Sequence, residues 1–282
     1  MLNFNIGFGY YPWFVPGEIP GTDLQALPGQ FAISVIPAYY VGNYISWSVP
    51  VYWGNCVFNI YSAQGDSQIP TLLNKAPLTS PSYFDTSSVN PSSFNQTFYT
   101  IEAILPSGAI ARSPATTWAP VQNPWVFLRA KEIQRRENLF LSKFFGVQSQ
   151  FFRKKFFGQR CTRCWNTQAE KVMDDRCTVC FGTGFEGGYW EAINVNLNYN
   201  PVQNNSQYTP VGVAEPVQIQ AWTTSVPTIQ TFDLIFRIPD AKMFRVSSVQ
   251  PTELQAVRVR QTLILTELDK DSIEYELVSV PG

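Results

Sequence analysis

Tyr44-Ile45-Ser46-Trp47-Ser48-Val49, closed by Pro50, alternates apolar and polar side chains with a period of two. That alternation predicts a strand that buries one face, and Pro50 ends it. Similar runs stand on both sides. Ala32-Ile33-Ser34-Val35-Ile36 reads as a preceding strand, and Val57-Phe58-Asn59-Ile60-Tyr61 as a following one. Phe98-Tyr99-Thr100-Ile101-Glu102-Ala103-Ile104-Leu105 alternates again, then Pro106-Ser107-Gly108 turns the chain into Ala109-Ile110-Ala111-Arg112. Ser-, Thr-, Asn- and Pro-rich stretches between these runs read as loops. Residues 31–120 are therefore expected to be all β.

Upstream, residues 1–30 are rich in Gly, Pro and aromatics. Tyr10-Tyr11-Pro12-Trp13-Phe14-Val15-Pro16 cannot continue a helix, because each proline restricts the residue before it. The stretch reads as an extended arm or as a strand lead-in packed on its own domain. Downstream, residues 121–160 change character. Phe127-Leu128-Arg129-Ala130-Lys131-Glu132-Ile133-Gln134-Arg135-Arg136-Glu137-Asn138-Leu139-Phe140-Leu141 has good helix formers and no Gly or Pro, and predicts a basic, Phe-rich linking helix ending near Phe145-Gly146. Residues 161–190 hold a cysteine module. Residues 191–282 return to β: Leu234-Ile235-Phe236-Arg237, a turn at Pro239-Asp240, Met243-Phe244-Arg245-Val246, the long run from Ala256 to Leu265, and Ile273-Glu274-Tyr275-Glu276-Leu277 after a turn at Asp269-Lys270-Asp271. This last part predicts a small antiparallel barrel or sheet.

The 282 residues correspond to about two or three domains at roughly 150 residues each. Hydrophobic residues make up 45% of the chain, enough for a core, and charged residues only 15%. With 21 Phe, 13 Tyr and 8 Trp, this composition suits a protein that ends inside an assembly. The chain has no His, which excludes Ser-His-Asp and Cys-His triads, His general bases and His metal ligands. A net charge of −1 excludes a globally basic nucleic-acid binder but leaves room for a local basic patch. No apolar run approaches the length of a membrane helix, and the first residues lack the pattern of a signal peptide, so folding in the cytoplasm is expected. Five cysteines are too few for a disulfide scaffold.

Four of those cysteines form Cys161-x-x-Cys164 and Cys177-x-x-Cys180, twelve residues apart. Two such knuckles supply four thiolates, the donor set of a structural tetrahedral zinc. The rival readings are two disulfides or four free thiols; cytoplasmic folding disfavours the first. Four cysteines close the coordination shell and leave no open position for a substrate, so no catalytic residue is assigned and the chain is read as non-enzymatic. Cys180 is followed by Phe181-Gly182-Thr183-Gly184-Phe185-Glu186-Gly187-Gly188-Tyr189, whose glycines let the backbone pass close to the sulfurs. Residues 161–189 carry too little apolar surface to fold alone, so a metal is expected to hold them. Cys56 reads as a buried small hydrophobe, and Asp174-Asp175 as solvated turn residues.

Residues 129–163 carry ten of the chain's 20 basic residues against Glu132 and Glu137, a local charge of 10 − 2 = +8. Phe144-Phe145, Phe151-Phe152 and Phe156-Phe157 interleave with them. Arg135, Arg136, Arg153, Lys154, Lys155, Phe156 and Phe157 are the candidate binding residues. Three readings stay open: a nucleic-acid contact by phosphate pairing and stacking, docking on an acidic partner ring through Phe anchors, or a solvated helix face plus core Phe whose charge offsets a tetrathiolate site.

Several pieces resemble known families. The strand around Trp47, the Asn59-Ile60-Tyr61 strand, Tyr83-Phe84-Asp85 and Tyr99-Thr100-Ile101-Glu102-Ala103 resemble, in order and spacing, a fibronectin type III domain with its core Trp and corner tyrosine. The resemblance implies a β-sandwich used for binding or spacing, and residues 31–120 hold only Lys75 and Arg112 as basic residues. Cys-x-x-Cys, spacer, Cys-x-x-Cys-Phe-Gly-Thr-Gly-Phe-x-Gly-Gly-Tyr resembles a cysteine module of tailed-bacteriophage structural proteins, where it also follows a basic helix rich in Arg and Phe. Its second half is similar to the zinc repeats of the chaperones that carry a J domain, although neither the repeated copies nor the J domain is found here. Residues 233–277 resemble the small β-barrel of phage head-closure and head–tail joining proteins. Together these resemblances imply a virion neck protein that forms a ring with copies of itself, contacts portal, adaptor and tail proteins and packaged DNA, and takes no membrane or small-molecule substrate. The alternatives are a tail or baseplate adaptor, or a zinc-ribbon nucleic-acid-binding protein.

Overall fold

A computed structural model of the chain describes residues 32–39, 41–64, 69–87, 97–118, 123–200, 218–255 and 257–279. The arm expected over residues 1–30 lies outside these residues. The fold is mainly β. Strands β1 (Ala32–Ala38), β2 (Gly42–Ser48), β3 (Val57–Gln64), β4 (Thr71–Leu72), β5 (Ser82–Asp85), β6 (Thr97–Ile104) and β7 (Ile110–Arg112) make two antiparallel sheets, ordered β1-β2-β5 and β4-β3-β6-β7. The alternating residues meet between them. Ile45 and Trp47 from one sheet and Phe58, Ile60 and Ile101 from the other share one core, with the Trp47 and Phe58 rings 5.2 Å apart, edge to face. Tyr99 ties the sheets together. Its hydroxyl donates to Asp85 Oδ2 at 2.7 Å and accepts from Asn43 Nδ2 at 2.8 Å, all three residues being buried. One phenol thus links β6 to both β5 and β2.

The period of two in β2 predicts one solvent face, yet Tyr44 and Ser46 are buried as well. Tyr44 lines a cleft whose far wall is formed by barrel residues, so a second domain covers that side of the strand.

Helix α1 (Pro124–Lys143) links the two β regions. Asn123 caps it by accepting from Trp125 N at 3.0 Å, and Pro124 takes the first helical position, where no N–H partner is needed. Val126, Ala130, Gln134 and Leu141 recur at helical spacing and are buried. Gln134 reaches both β regions: its Oε1 accepts from Tyr39 N at 3.0 Å, and its Nε2 donates to Pro37 O at 3.3 Å and to Arg258 O at 2.9 Å. Tyr39 packs edge to face on Phe127 at 4.7 Å beside Val257 and Val259. The helix stops where Gly146 passes so close to the Leu141 carbonyl that a Cβ there would lie 1.9 Å from the oxygen. Close approach, rather than a left-handed φ, is what requires glycine at this point.

The C-terminal region is a closed antiparallel barrel of six strands in the order β11-β12-β15-β14-β13-β8. Its strands are β8 (Val147–Phe152), β11 (Ile193–Asn200), β12 (Gln218–Thr224), β13 (Leu234–Arg237), β14 (Lys242–Leu254) and β15 (Val257–Glu267), with β9 (Trp165–Asn166) and β10 (Lys171–Val172) lying in between. Phe151, Leu197, Ile235, Phe244, Leu263 and Leu265 fill it. Two sequence expectations are corrected here. Residues 121–160 are not a helical linker throughout, because Val147–Phe152 is a barrel strand paired with both β11 and β13. Residues 273–277 are not a strand: a single 3-10 turn (Ile273–Tyr275) leads into the short helix α2 (Glu276–Ser279). The closed barrel offers no free edge, and Tyr275, Leu277 and Val278 pack on the cluster of Leu234, Phe236 and Met243 instead.

Strands β8 and β11 are antiparallel neighbours, so residues 153–192 form an excursion from one hairpin. Bridges Lys154↔Tyr189 and Arg160↔Phe185 carry the pairing outward. The arms of this excursion lie against the sandwich. Phe157 is fully buried in the sandwich core, 5.8 Å from Phe58 and 5.1 Å from Trp190, and Gln159 N donates to Asn55 Oδ1 at 2.8 Å. Asp233 fixes the base of the excursion by accepting from Lys154 N at 2.9 Å and Gln230 N at 2.7 Å.

Two outcomes are expected. Gln134→Leu leaves Tyr39 N–H and two carbonyls without their side-chain partner in a dry junction and should cost about 3 kcal/mol in urea unfolding. The second concerns Asp233, whose carboxyl is pushed up to about 7 by burial, against the two backbone donors and the Arg153 and Lys154 charges that lower it. Between about pH 4 and that value the folded chain holds a proton that the unfolded chain has released. The stability this contributes is complete below about pH 4 and is lost as pH rises through about 7. Unfolding midpoints at pH 5 and pH 8 should therefore differ more for the native chain than for Asp233→Asn.

Candidate metal centre

The excursion carries Cys161, Cys164, Cys177 and Cys180 to its far end, all four buried, with their sulfurs within 4.8 Å of one another. Both knuckles are Cys-Thr-x-Cys followed by an aromatic residue. Each closes the same way: Trp165 N donates to Cys161 O at 3.2 Å and Phe181 N to Cys177 O at 2.8 Å. Such turns aim both sulfurs of a pair in one direction. The knuckles are then tied to each other through Cys161 N, which donates to Gly184 O at 3.0 Å. Gly184 has φ +80°, and a Cβ there would meet Trp165 and Val172 at 3.0–3.1 Å. Trp165 and Val172, from β9 and β10, roof the thiols.

The donor set fits a metal ion. Tetrahedral coordination with bonds of about 2.3 Å needs sulfurs about 3.8 Å apart. Cys161 and Cys177 stand 3.8 Å apart and Cys164 and Cys180 3.1 Å, and all four cysteines are free thiols. Burial raises the Cys164 and Cys180 thiols. Burial acts the same way on Cys177, but the backbone N–H groups of Val179 and Cys180 together with the Cys164 and Cys180 thiols outweigh it and bring that thiol down to about 7. Four buried sulfurs resist collecting negative charge together, and a bound cation removes that resistance. Arg160 adds positive charge at the rim, its guanidinium 3.7 Å from the Trp165 ring centre and 4.3 Å from that of Phe185.

The other residues read from the sequence as a binding segment are spread over different places. Arg135 and Arg136 lie on the outer face of α1 and both pair with Glu132, at 2.8 Å and 2.6 Å. These bonds hold the Glu132 carboxyl at about 2. Lys154 places its ammonium over Phe232, and Lys155 donates to Glu186 O at 2.7 Å while lying over Trp190. Phe156 packs on the sandwich core, Phe157 is inside it, and Arg153 is 5% exposed. Arg153 and Phe157 are therefore not surface contacts. The Phe doublet is drawn inward because the excursion packs on the sandwich, where Phe157 meets Phe58, about 100 residues away in sequence, a contact that no local pattern records. Cys56 is buried as expected, its S–H donating to Trp53 O and its thiol pushed up to about 11 by burial. Asp174 and Asp175 are exposed, and Asp174 accepts from Arg176 N at 2.9 Å in a turn.

A scan against protein-family models matches none, and a search of curated proteins finds no significant relative. Among the described residues no helix is long and apolar enough to cross a membrane.

Removing one sulfur should abolish metal binding and loosen only the tip of the excursion. Cys164→Ser, or chelation of the native chain, is expected to speed tryptic cleavage at Lys171 and Arg176 by roughly tenfold or more. The β11-to-β15 barrel should stay intact, as followed by mass spectrometry of the fragments.

Proposed function

We propose that this chain is a non-enzymatic building block of a tailed-phage particle, seated in a ring at the neck between portal and tail, and that zinc occupies the four-cysteine site as a structural ion. The observation that carries the assembly reading is the outer face of α1. Trp125 is 79% exposed, Leu128 55%, Phe144 68% and Phe145 62%. Phe140, Phe144 and Phe145 stand 6.2–6.3 Å from one another, beyond the Glu132, Arg135 and Arg136 cluster. A soluble monomer seldom presents so much aromatic surface, whereas a ring subunit buries it against a neighbour. The cysteine-module resemblance supplies the phage context.

The sheet orders β1-β2-β5 and β4-β3-β6-β7, with Tyr99 bridging them, support reading the first domain as fibronectin type III-like. Such a domain suits a spacer or decoration on the outside of the ring. Four cysteine sulfurs within 4.8 Å of one another favour zinc, with iron the competing ion for that donor set. The docking reading is preferred over nucleic-acid binding. Of the candidate basic and aromatic residues, two arginines share one glutamate, and Arg153 and Phe157 are inside the protein.

Elemental analysis should find one zinc per chain and a colourless protein; an iron site would absorb in the visible range. Native mass spectrometry should show closed oligomers of the chain alone or with portal and tail proteins. Phe144→Ser combined with Phe145→Ser should shift these to monomer while changing the unfolding free energy by less than about 0.5 kcal/mol per site, since both rings are exposed. A zinc-bound chain that stays monomeric even with those partners would count against the ring.

A further inference from the structure

The barrel holds two unlike surfaces on opposite walls. Going round it, β11, β12 and β15 are consecutive, and β14, β13 and β8 complete the circle. Helix α1 lies against the first three strands. The turn after β15 and α2 lie against the other three. There Tyr275, Leu277 and Val278 pack on Leu234, Phe236 and Met243, with Phe152 of β8 in the same cluster. Met243 N donates to the Tyr275 hydroxyl at 2.9 Å, which fastens this segment to its wall. The outer face of α1 and the C-terminal turn therefore face away from each other across one closed barrel.

Their charges are opposite. Helix α1 carries Arg129, Lys131, Arg135, Arg136 and Lys143 against Glu132 and Glu137. Residues 267–276 carry Glu267, Asp269, Asp271, Glu274 and Glu276 against Lys270. Pairing within the chain cancels neither set. Glu267 is taken by Lys242 and Glu274 by Arg245. Asp269, Asp271 and Glu276 are exposed and enter no ion pair among the described residues. On α1, Arg129 and Lys143 are likewise exposed and outside every such pair. Both surfaces also show apolar groups. On α1 this is the aromatic ridge; on the acidic side Leu277 is half-buried, and Ile238, in the turn between β13 and β14, is 43% exposed.

Two copies set α1 against α1 would bring Arg129, Arg135, Arg136 and Lys143 against their like, a costly arrangement. Set against the acidic wall of a second copy, the same helix meets opposite charge and an apolar floor. We infer that the surface receiving the α1 face is the acidic C-terminal turn and α2 of the next copy of this chain. The inference rests on the ring reading and gives it a direction. A contact between two unlike surfaces on opposite sides of a subunit repeats from copy to copy and closes when the rotations complete a full turn, whereas a self-complementary contact stops at two copies. Phe144 and Phe145 supply buried area at this contact, and the charges fix its register and exclude the like-to-like alternative.

The test uses the full chain with its metal and two charge-reversed forms of it. One carries Arg129→Glu with Lys143→Glu, the other Asp269→Lys with Asp271→Lys. Each alone presents like charges at the contact, so the concentration it needs to assemble should rise on the order of a hundredfold in native mass spectrometry. Mixed in equal amounts, the two should assemble again in strict alternation, because each face then meets its opposite in the other form. Carbodiimide coupling of native chains, half of them labelled with heavy nitrogen, should join Lys143 of one copy to Asp269, Asp271 or Glu276 of another. Assemblies that either reversal leaves intact, a mixture of folded reversed chains that stays monomeric, or inter-chain couplings that never join α1 to residues 267–276 overturn this pairing and leave the ring reading standing. A native chain that stays monomeric, alone and with portal and tail proteins, overturns both. Should a reversed chain fail to fold, the coupling pattern of the native chain decides the matter.

Discussion

The pairing of β8 with β11 is the constraint on which the rest of the molecule depends. These strands are neighbours in the barrel wall, yet residues 153–192 lie between them. Once the two ends are held side by side, the intervening chain must leave the barrel and return to it. The pairing is continued outward by the Lys154↔Tyr189 and Arg160↔Phe185 bridges, and the four cysteines fall at the turning point. Closing this long loop costs conformational entropy; Phe157 and Trp190 recover part of it against the sandwich, and the tip relies on the cysteine cluster. A metal ion held by the four clustered sulfurs would replace a core there with a single coordination sphere.

The same excursion joins the domains. Its inner arm puts Phe157 into the sandwich core, against Phe58, and its return arm puts Trp190 against Phe157. Helix α1 makes a second joint on another side, where Gln134 bonds to Tyr39 and Pro37 of the sandwich and to Arg258 of the barrel. A hydrogen-bonded joint made by one side-chain amide is directional: it fixes orientation in a way that apolar burial, which only requires dryness, does not. Two joints of different chemistry limit the ways in which the sandwich can pivot on the barrel.

The aromatic residues divide into two populations. Trp47, Phe58, Tyr99, Phe151, Phe157 and Phe244 are inside. Trp125, Phe140, Phe144 and Phe145 are outside, on α1 and just beyond its end. The buried set explains how a chain with 15% charged residues folds; the exposed set is what a partner is needed to cover. Arg135 and Arg136 sit between the two ends of this outer stripe, shared by Glu132, so the face is amphipathic along its length.

Local pattern was enough to reveal much of this protein. The strands around Trp47 and Tyr99 announce themselves through side-chain alternation, α1 through a run of helix formers without Gly or Pro, and Leu234–Arg237 through a short apolar run ahead of a turn. The four cysteines were legible for a similar reason: a metal ligand set needs fixed spacing within each knuckle. The strand Val147–Phe152 was not legible, because Gln148, Ser149 and Gln150 blur its alternation and its identity comes from neighbours in β11 and β13. The fates of Phe157 and Arg153 were hidden as well. Whether a Phe next to lysines is an anchor or a core residue, and whether an arginine is solvated or enclosed, depends on which surface the chain meets about 100 residues away. Local sequence encodes what each segment wants to bury; only the tertiary structure decides what it is buried against.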